Sequence, residues 1–189
     1  SGSAGTVYVR SAQAEYGDLV LDNNNRCTAN EVRTDLPAMP VGTIAANGLS
    51  ALTLTAPGAT WHVGLWQGAT LTPNRDQGEA TLTDNAQYTI AWNEADSLTV
   101  VEGDMTSAAA PGDSYGILYA FGNLEMRKKA HLFSHADILV MTGDISSDDD
   151  VTLVLADDAS IEAGVLDLVS VTTLEGQTDV EALLCSGCQ

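Results

Sequence analysis

The sequence predicts an all-β fold: a right-handed parallel β-helix with about 21 residues per coil and a small inserted antiparallel β unit. Between residues 122 and 184, glycines and apolar residues recur every 21 positions, and the apolar stretches within each period are short. A fixed period in this range indicates stacked units, and short alternating stretches indicate strands. The recurring positions are Gly122, Gly143 and Gly164; Leu124, Ile145 and Leu166; Leu132, Leu153 and Leu174; Val140, Ile161 and Ala182; and Asp137, Asp158 and Asp179.

The N-terminal segment predicts two strands that begin the stack. Residues 6–10 and 16–22 are rich in valine, leucine and tyrosine, and a polar turn separates them. The asparagines at 23–25 indicate a corner, because asparagine tolerates a left-handed backbone. Residues 26–48 contain prolines and glycines but few apolar residues, which predicts a long loop.

The middle of the chain predicts the inserted unit, at residues 65–115. Short strands at 69–72, 80–83, 88–92 and 97–101 are separated by turn-rich pieces, a spacing typical of an antiparallel meander or small barrel. Strands at 52–55 and 60–63 are expected to form a further coil. The chain is therefore predicted to be a single domain over residues 1–189. If the 21-residue repeat is coincidental, a β-sandwich is the alternative.

Two segments carry a resemblance to a known class of proteins. Gly-Thr-Val-Tyr-Val at 5–9, followed by Tyr-Gly-Asp-Leu-Val-Leu-Asp-Asn at 16–23, resembles a segment of very large, secreted, repetitive bacterial surface proteins with parallel β-helix, pectate-lyase-like regions. Gly103-Asp104 and Gly-Asp-Ser-Tyr at 112–115 resemble the compact β unit that interrupts such repeats. The resemblance implies an adhesin-like structural module, extracellular or at the cell surface.

Charge and hydropathy exclude two kinds of partner. The chain has 26 acidic and 7 basic residues and a net charge of −19, which repels nucleic acid and anionic lipid headgroups. No apolar run approaches the roughly 18 residues of a membrane span, so direct membrane insertion is not expected. The chain begins at Ser1 without a methionine, which suggests a piece of a longer protein. The expected partners are polysaccharide or neighbouring domains of that larger chain.

Acidic runs at 144–150 and 157–158 predict a calcium site. Calcium takes six to eight oxygen ligands, which acidic turns supply as carboxylates and carbonyls. The candidate ligands are Asp144, Asp148, Asp149 and Asp150. The alternative is a solvated acidic turn, since the spacing matches no known calcium loop. Asp137, Asp158 and Asp179 would stack about 5 Å apart, so that a cation bridges them or they splay into water.

Cysteine and histidine give weaker signals. Cys185 and Cys188 favour a tight disulfide over a metal or redox pair, because no partner ligands stand close by. The pairing of Cys27 stays open. Strand alternation places His131 on the same side as Phe133, and surface placement is expected for His131 and His135.

The function predicted is a non-catalytic structural or adhesive module. The alternative is a carbohydrate-binding or polysaccharide-cleaving β-helix fragment, for which Arg127 or Lys128 beside Asp137 and Asp158 would supply the charged groups. No motif for a nucleophilic enzyme occurs. The tryptophans leave two roles open, stacking on sugar rings or packing in the core. They are Trp61, Trp66 and Trp92.

Overall fold

The structure, a computed structural model, describes residues 5–24, 34–75, 86–128, 130–147, 151–156 and 161–168. The chain forms two compact units: unit 1 comprises Ser1–Ala38 and Ala120–Gln189, and unit 2 comprises Met39–Tyr119. Unit 2 is thus an insertion in the sequence of unit 1. It contains the predicted insertion at 65–115 and extends beyond it at both ends.

In the described residues, strands make up nearly all of the regular structure, together with a 3₁₀ turn at Met105–Ser107. In chain order the strands are β1 (Gly5–Val9), β2 (Asp18–Asp22), β3 (Thr34–Leu36), β4 (Val41–Thr43), β5 (Thr53–Thr55), β6 (Thr70–Thr72), β7 (Tyr88–Asn93), β8 (Ser97–Val100), β9 (Ser114–Phe121), β10 (Leu124–Arg127), β11 (His131–Ser134), β12 (Ile138–Ser147), β13 (Thr152–Leu155) and β14 (Ile161–Leu168). Within the described residues, no helix has the length and apolar character needed to cross a membrane.

The described strands of unit 1 form two parallel ladders and one antiparallel edge. Strands β2, β10, β12 and β14 pair in parallel in that order, and β1 pairs antiparallel with β2. Strands β3, β11 and β13 form a second parallel sheet. Parallel neighbours need a long connection, because the chain must return to the same end of the sheet. Between β2 and β10 that connection contains all of unit 2.

The register of these ladders follows the 21-residue repeat over part of its length. Leu124 pairs with Ile145, and Ile145 pairs with Leu166, so successive partners lie 21 residues apart. The first residue of the ladder is Leu19, opposite Leu124. Leu19, Leu124 and Ile145 are all buried, so one apolar column runs through the unit. Apolar side chains stacked in this way stabilise the ladder by removing their surface from water.

The repeat fails at the start of β12. Ile138 pairs with Ile161 and Val140 with Ala163, an offset of 23 residues, and the offset returns to 21 at Asp144, which pairs with Val165. Four positions separate Val140 from Asp144, whereas two separate their partners, so β12 carries two extra residues in an irregularity. The predicted equivalence of Val140 and Ile161 is therefore not a pairing in the structure.

Unit 2 is an antiparallel sheet with the strand order β4-β9-β6-β7-β8-β5. Its strands are three to eight residues long; β5 and β8 alternate between buried and less buried positions, whereas β6 is buried throughout. The unit has its own apolar core. The core residues are Ile44, Leu54, Ala56, Leu71, Ile90, Leu98, Val100, Met105, Tyr115 and Ile117.

The predicted right-handed parallel β-helix is wrong for this chain, whereas the all-β class is confirmed. The structure combines parallel ladders with antiparallel sheets: β7 returns as β8 after only three residues, and β4, β6 and β9 also pair antiparallel. Strand β5, expected in a further coil, pairs antiparallel with β8. Residues 60–63, expected to be a strand, form a loop that leads into turns. The expected strand at 80–83 lies outside the described residues.

Candidate binding surface around Trp92

The predicted calcium ligands are not assembled by the described part of the structure. The backbone of Asp144 lies in β12, opposite Val165. Its side chain, and all of Asp148, Asp149 and Asp150, lie outside the described residues. Among the residues that are described, no group of three histidine, cysteine, aspartate or glutamate side chains is placed to hold a metal ion. Calcium binding at 144–150 stays a prediction.

The two basic residues considered for polysaccharide cleavage take part in ion pairs on unit 1. Lys128 Nζ donates to Asp22 Oδ2 at 2.9 Å, and Arg127 pairs with Glu125. The hydrogen bond from Lys128, followed by the backbone N–H of Asn24, holds the pKa of Asp22 below its ordinary value. Asp137 is buried, with 4% of its surface exposed.

The remaining predicted site residues that the structure describes give no further cluster. Asp158, Asp179 and the three cysteines lie outside the described residues. In β11, His131 and Phe133 are half-buried while Leu132 and Ser134 are buried, which agrees with the expected alternation. The ring of Phe133 lies edge-on to that of His135, with centroids 4.4 Å apart.

The three tryptophans, all in unit 2, have different environments. Trp61 and Trp66 are partly buried and pack against the core. Trp61 lies edge-on to Tyr115, with ring centroids 6.3 Å apart, and burial raises the pKa of Tyr115. Trp92 has 43% of its surface exposed. The core-packing role therefore describes Trp61 and Trp66, and Trp92 is the one left at the surface.

A β-bulge turns Trp92 outward. In a regular strand, residues two apart share a face, so Trp92 would point inward with Ile90. Instead, Ile90 pairs with Val100 and Trp92 with Thr99, so two steps along β7 correspond to one step along β8. Ile90 and Asn93 are consequently both buried, each 1% exposed, and Trp92 faces solvent. Bulges are often found beside functional sites, where they redirect a side chain.

The bulge also places Asn93 where it holds the loop at residues 61–66. Asn93 Oδ1 accepts from Trp66 N at 2.8 Å, and Asn93 Nδ2 donates to His62 O at 2.9 Å. The backbone adds bonds from Gly64 N to Asn93 O and from Trp61 N to Ala95 O. A buried amide with these partners fixes the loop against the end of β7, because leaving the amide unpaired would be costly.

This loop and Glu94 hold the indole ring of Trp92. The indole Nε1 donates to Glu94 Oε1 at 3.1 Å. On the loop side, a Cβ added to Gly64 would lie 2.8 Å from Trp92 Cη2, so the ring packs directly against this glycine. Gly64 has φ +76°, a conformation that glycine adopts without a steric penalty. Trp92 is thus exposed, and its ring is contacted at two edges, by Glu94 and by Gly64.

Four hydroxyl side chains share the outer face of the sheet with Trp92. Thr99 is opposite Trp92, and Thr53 is opposite Thr99, which gives one row across β7, β8 and β5. The next row contains Ser97 opposite Thr55. None of these four is buried, whereas Leu54 and Leu98 between them are fully buried. We call this surface, formed by Trp92, Thr99, Thr53, Ser97 and Thr55, the Trp92 face.

Sequence reasoning included Trp92 among three tryptophans without separating it from the others. Trp92 differs from the other two because β7 has one extra residue where it pairs with β8. This extra residue is visible only in the pairing of the two strands. Comparison of the chain with protein-family models, with curated proteins and with solved structures finds no match. The interpretation of the Trp92 face therefore rests on its own geometry.

Proposed function

We propose that this chain is a non-catalytic structural and adhesive module of a secreted or cell-surface bacterial protein. The observation that carries the proposal is the insertion of a unit with its own core into a ladder of parallel strands. Leu19 and Leu124 are partners although 105 residues separate them, so the ladder continues on either side of the insertion. This arrangement suits a spacer that carries a second, binding unit.

We assign different roles to the two units because their cores are packed in different ways. In the ladder, the contacts between neighbouring strands repeat, so such a unit is lengthened by adding further repeats. Unit 2 is non-repetitive, and it carries the exposed Trp92, whose ring contacts Glu94 and Gly64. We assign the structural role to unit 1 and adhesion to unit 2.

A retention assay tests this proposal. Beads coated with the full chain are washed over immobilised bacterial cells, mucin and neutral polysaccharide, and beads coated with heat-unfolded chain are the control. Retention of the folded form alone on at least one surface is the expected result. Equal retention of both forms on every surface, or no retention, would overturn the adhesive role.

A second measurement separates adhesion from cleavage. The full chain is incubated with the same polysaccharides, and new reducing ends are quantified. The expected result is no increase over the heat-unfolded control. A time-dependent increase would replace the non-catalytic proposal with a polysaccharide-cleaving one.

A further inference from the structure

We propose that the Trp92 face binds a neutral oligosaccharide, with the indole ring stacked on a sugar ring and the neighbouring hydroxyls bonded to sugar hydroxyls. This inference rests on the adhesive role proposed above and names its ligand. It concerns the outer face of strands β5, β8 and β7.

The first support is the preorganisation of the ring. An exposed tryptophan that moved freely would lose side-chain entropy on binding, about 0.5–1.5 kcal/mol for a typical immobilised side chain. Trp92 has already lost much of that freedom, since Glu94 holds Nε1 and Gly64 packs against the far edge of the ring. The bond to Glu94 also satisfies the indole N–H, so the apolar surface of the ring is the part available for contact.

The second support is the chemistry of the neighbours. A pyranose presents an apolar face of C–H groups and a rim of hydroxyls, so its binding site needs an apolar surface beside hydrogen-bonding groups. In the Trp92 face, the residue opposite the indole is Thr99, and the next along the row is Thr53. Directly opposed side chains on one face lie about 4.5–5.5 Å apart, close enough to contact one ligand.

The same neighbours argue against a protein partner. Energetic centres of protein interfaces are enriched in tryptophan, tyrosine and arginine, whereas serine, threonine and valine are under-represented. On the sheet side of Trp92, the neighbours that are not buried are four serine and threonine residues. Val63 and Leu65, exposed on either side of Gly64, make protein association the competing interpretation.

The acidic charge of the chain favours neutral over anionic oligosaccharides. The net charge of −19 disfavours polyanionic ligands, and Glu94 adds a carboxylate beside the ring itself. A neutral sugar avoids this repulsion. Its hydroxyl groups can donate to the carboxylate of Glu94, and such charge-assisted hydrogen bonds are stronger than neutral ones.

The test is calorimetric titration of the full chain with cellohexaose and with maltohexaose, followed by polygalacturonate as the anionic comparison. We expect at least one neutral oligosaccharide to bind and polygalacturonate not to bind. Trp92→Ala should weaken the neutral ligand by about tenfold or more, whereas Trp92→Phe should retain most of the affinity because it keeps an aromatic face. Val41→Ala is the matched control, since Val41 is also exposed in unit 2 but lies in β4.

Thr99→Val separates the two interpretations. Valine keeps the shape of threonine and removes its hydroxyl, so oligosaccharide affinity should fall about two- to tenfold. A protein interface would be unchanged or strengthened by the same substitution. Circular dichroism confirms that each variant is folded. If Trp92→Ala does not fold, Trp92→Phe and Thr99→Val decide the test.

Three results would overturn the inference. They are the absence of binding to both neutral oligosaccharides, unchanged affinity in folded Trp92→Ala, and concentration-dependent self-association that Trp92→Ala abolishes. The last result would assign the ring to an interface between copies. If the beads adhere but neither oligosaccharide binds, the adhesive role survives and only the ligand assignment fails. If the beads do not adhere either, both proposals fail.

Discussion

Units 1 and 2 build cores from β-strands in different ways. In unit 1, corresponding positions of successive repeats stack on one another, as in the column of Leu19, Leu124 and Ile145. In unit 2, the core combines residues with no repeating relation, and a buried asparagine links a loop to a bulged strand. A repeated core gives stiffness and extension, whereas a non-repeated core can hold one particular surface. The comparison teaches that strand content alone does not distinguish two units whose cores are organised so differently.

The largest expected effect is the loss of stability on truncating one fully buried leucine in each unit. Leu124→Ala and Leu71→Ala each remove a side chain with 0% exposure, and each should cost about 2–5 kcal/mol of unfolding free energy. Because Leu124 lies between Leu19 and Ile145, its loss should lower hydrogen-exchange protection in β2, β10 and β12. Leu71→Ala should lower it in β6, β7 and β9.

Native-state hydrogen exchange with peptide-level mass spectrometry measures the loss of protection in the two variants. Each substitution serves as the control for the other. Equal loss of protection in both units from either substitution would contradict the comparison, because it would mean that the units open together.

The next largest expected effect is the loss of stability on replacing a buried polar residue in each unit. Asn93→Ala leaves the N–H of Trp66 and the carbonyl of His62 without their side-chain partner and should cost about 1–3 kcal/mol. The matched control is Ser134→Ala in β11, whose hydroxyl bonds only to Ala136, two residues away, among the bonds described for it. The cost of Ser134→Ala should be about 0.5–1.5 kcal/mol.

Urea unfolding of the two variants measures these costs. We expect the larger decrease in the urea midpoint of unfolding for Asn93→Ala. Its side chain bonds to Trp66 and His62, which lie 27 and 31 residues away in the chain. A larger decrease for Ser134→Ala would show that the ladder, rather than the antiparallel unit, depends on its buried polar group.

The smallest expected effect concerns the ion pair between two neighbouring ladder strands. Lys128 and Asn24 lower the pKa of Asp22 in the folded state, so this carboxylate adds stability above its unfolded pKa and the contribution disappears as pH falls through the folded pKa. The pH range over which this contribution to stability is lost lies below about pH 4. Lys128→Met should raise the pKa of Asp22 and remove most of this acid dependence.

Titration of the Asp22 carboxyl carbon by NMR measures the change, and Lys128→Arg, which preserves the charge, is the control. An Asp22 pKa that is the same in the Lys128→Met variant and in the unchanged chain would contradict the assigned partner. Because Asp22 and Lys128 are solvent-accessible, the accompanying change in stability should be the smallest of the three.

Local signals in the sequence predicted several elements well. The asparagine corner is one, since Asn24 has φ +51° and its N–H donates to Asp22 Oδ1 at 2.7 Å. Strands β2, β7 and β8 lie within two residues of their predicted bounds at each end. These signals succeed because turn preferences and apolar alternation act over a few neighbouring residues.

Features that depend on a partner strand were not predictable in the same way. The expected strand at 60–63 is a loop held by Asn93, which is about 30 positions away in the chain. The outward direction of Trp92 follows from a bulge that is defined only against β8. The extra residues of β12 likewise become visible only in its pairing with β14.

By itself, the sequence determined that the chain is all-β and that positions 124, 145 and 166 are equivalent, because a repeated apolar pattern has to be buried in a repeated way. It also determined the acidic charge that disfavours nucleic acid and anionic ligands. The tertiary structure alone decided that β1, β4 and β5 also pair antiparallel, and which tryptophan reaches solvent. The physical reason is that strand direction and bulges depend on hydrogen bonds between distant segments, and a pattern of neighbouring residues does not specify those bonds.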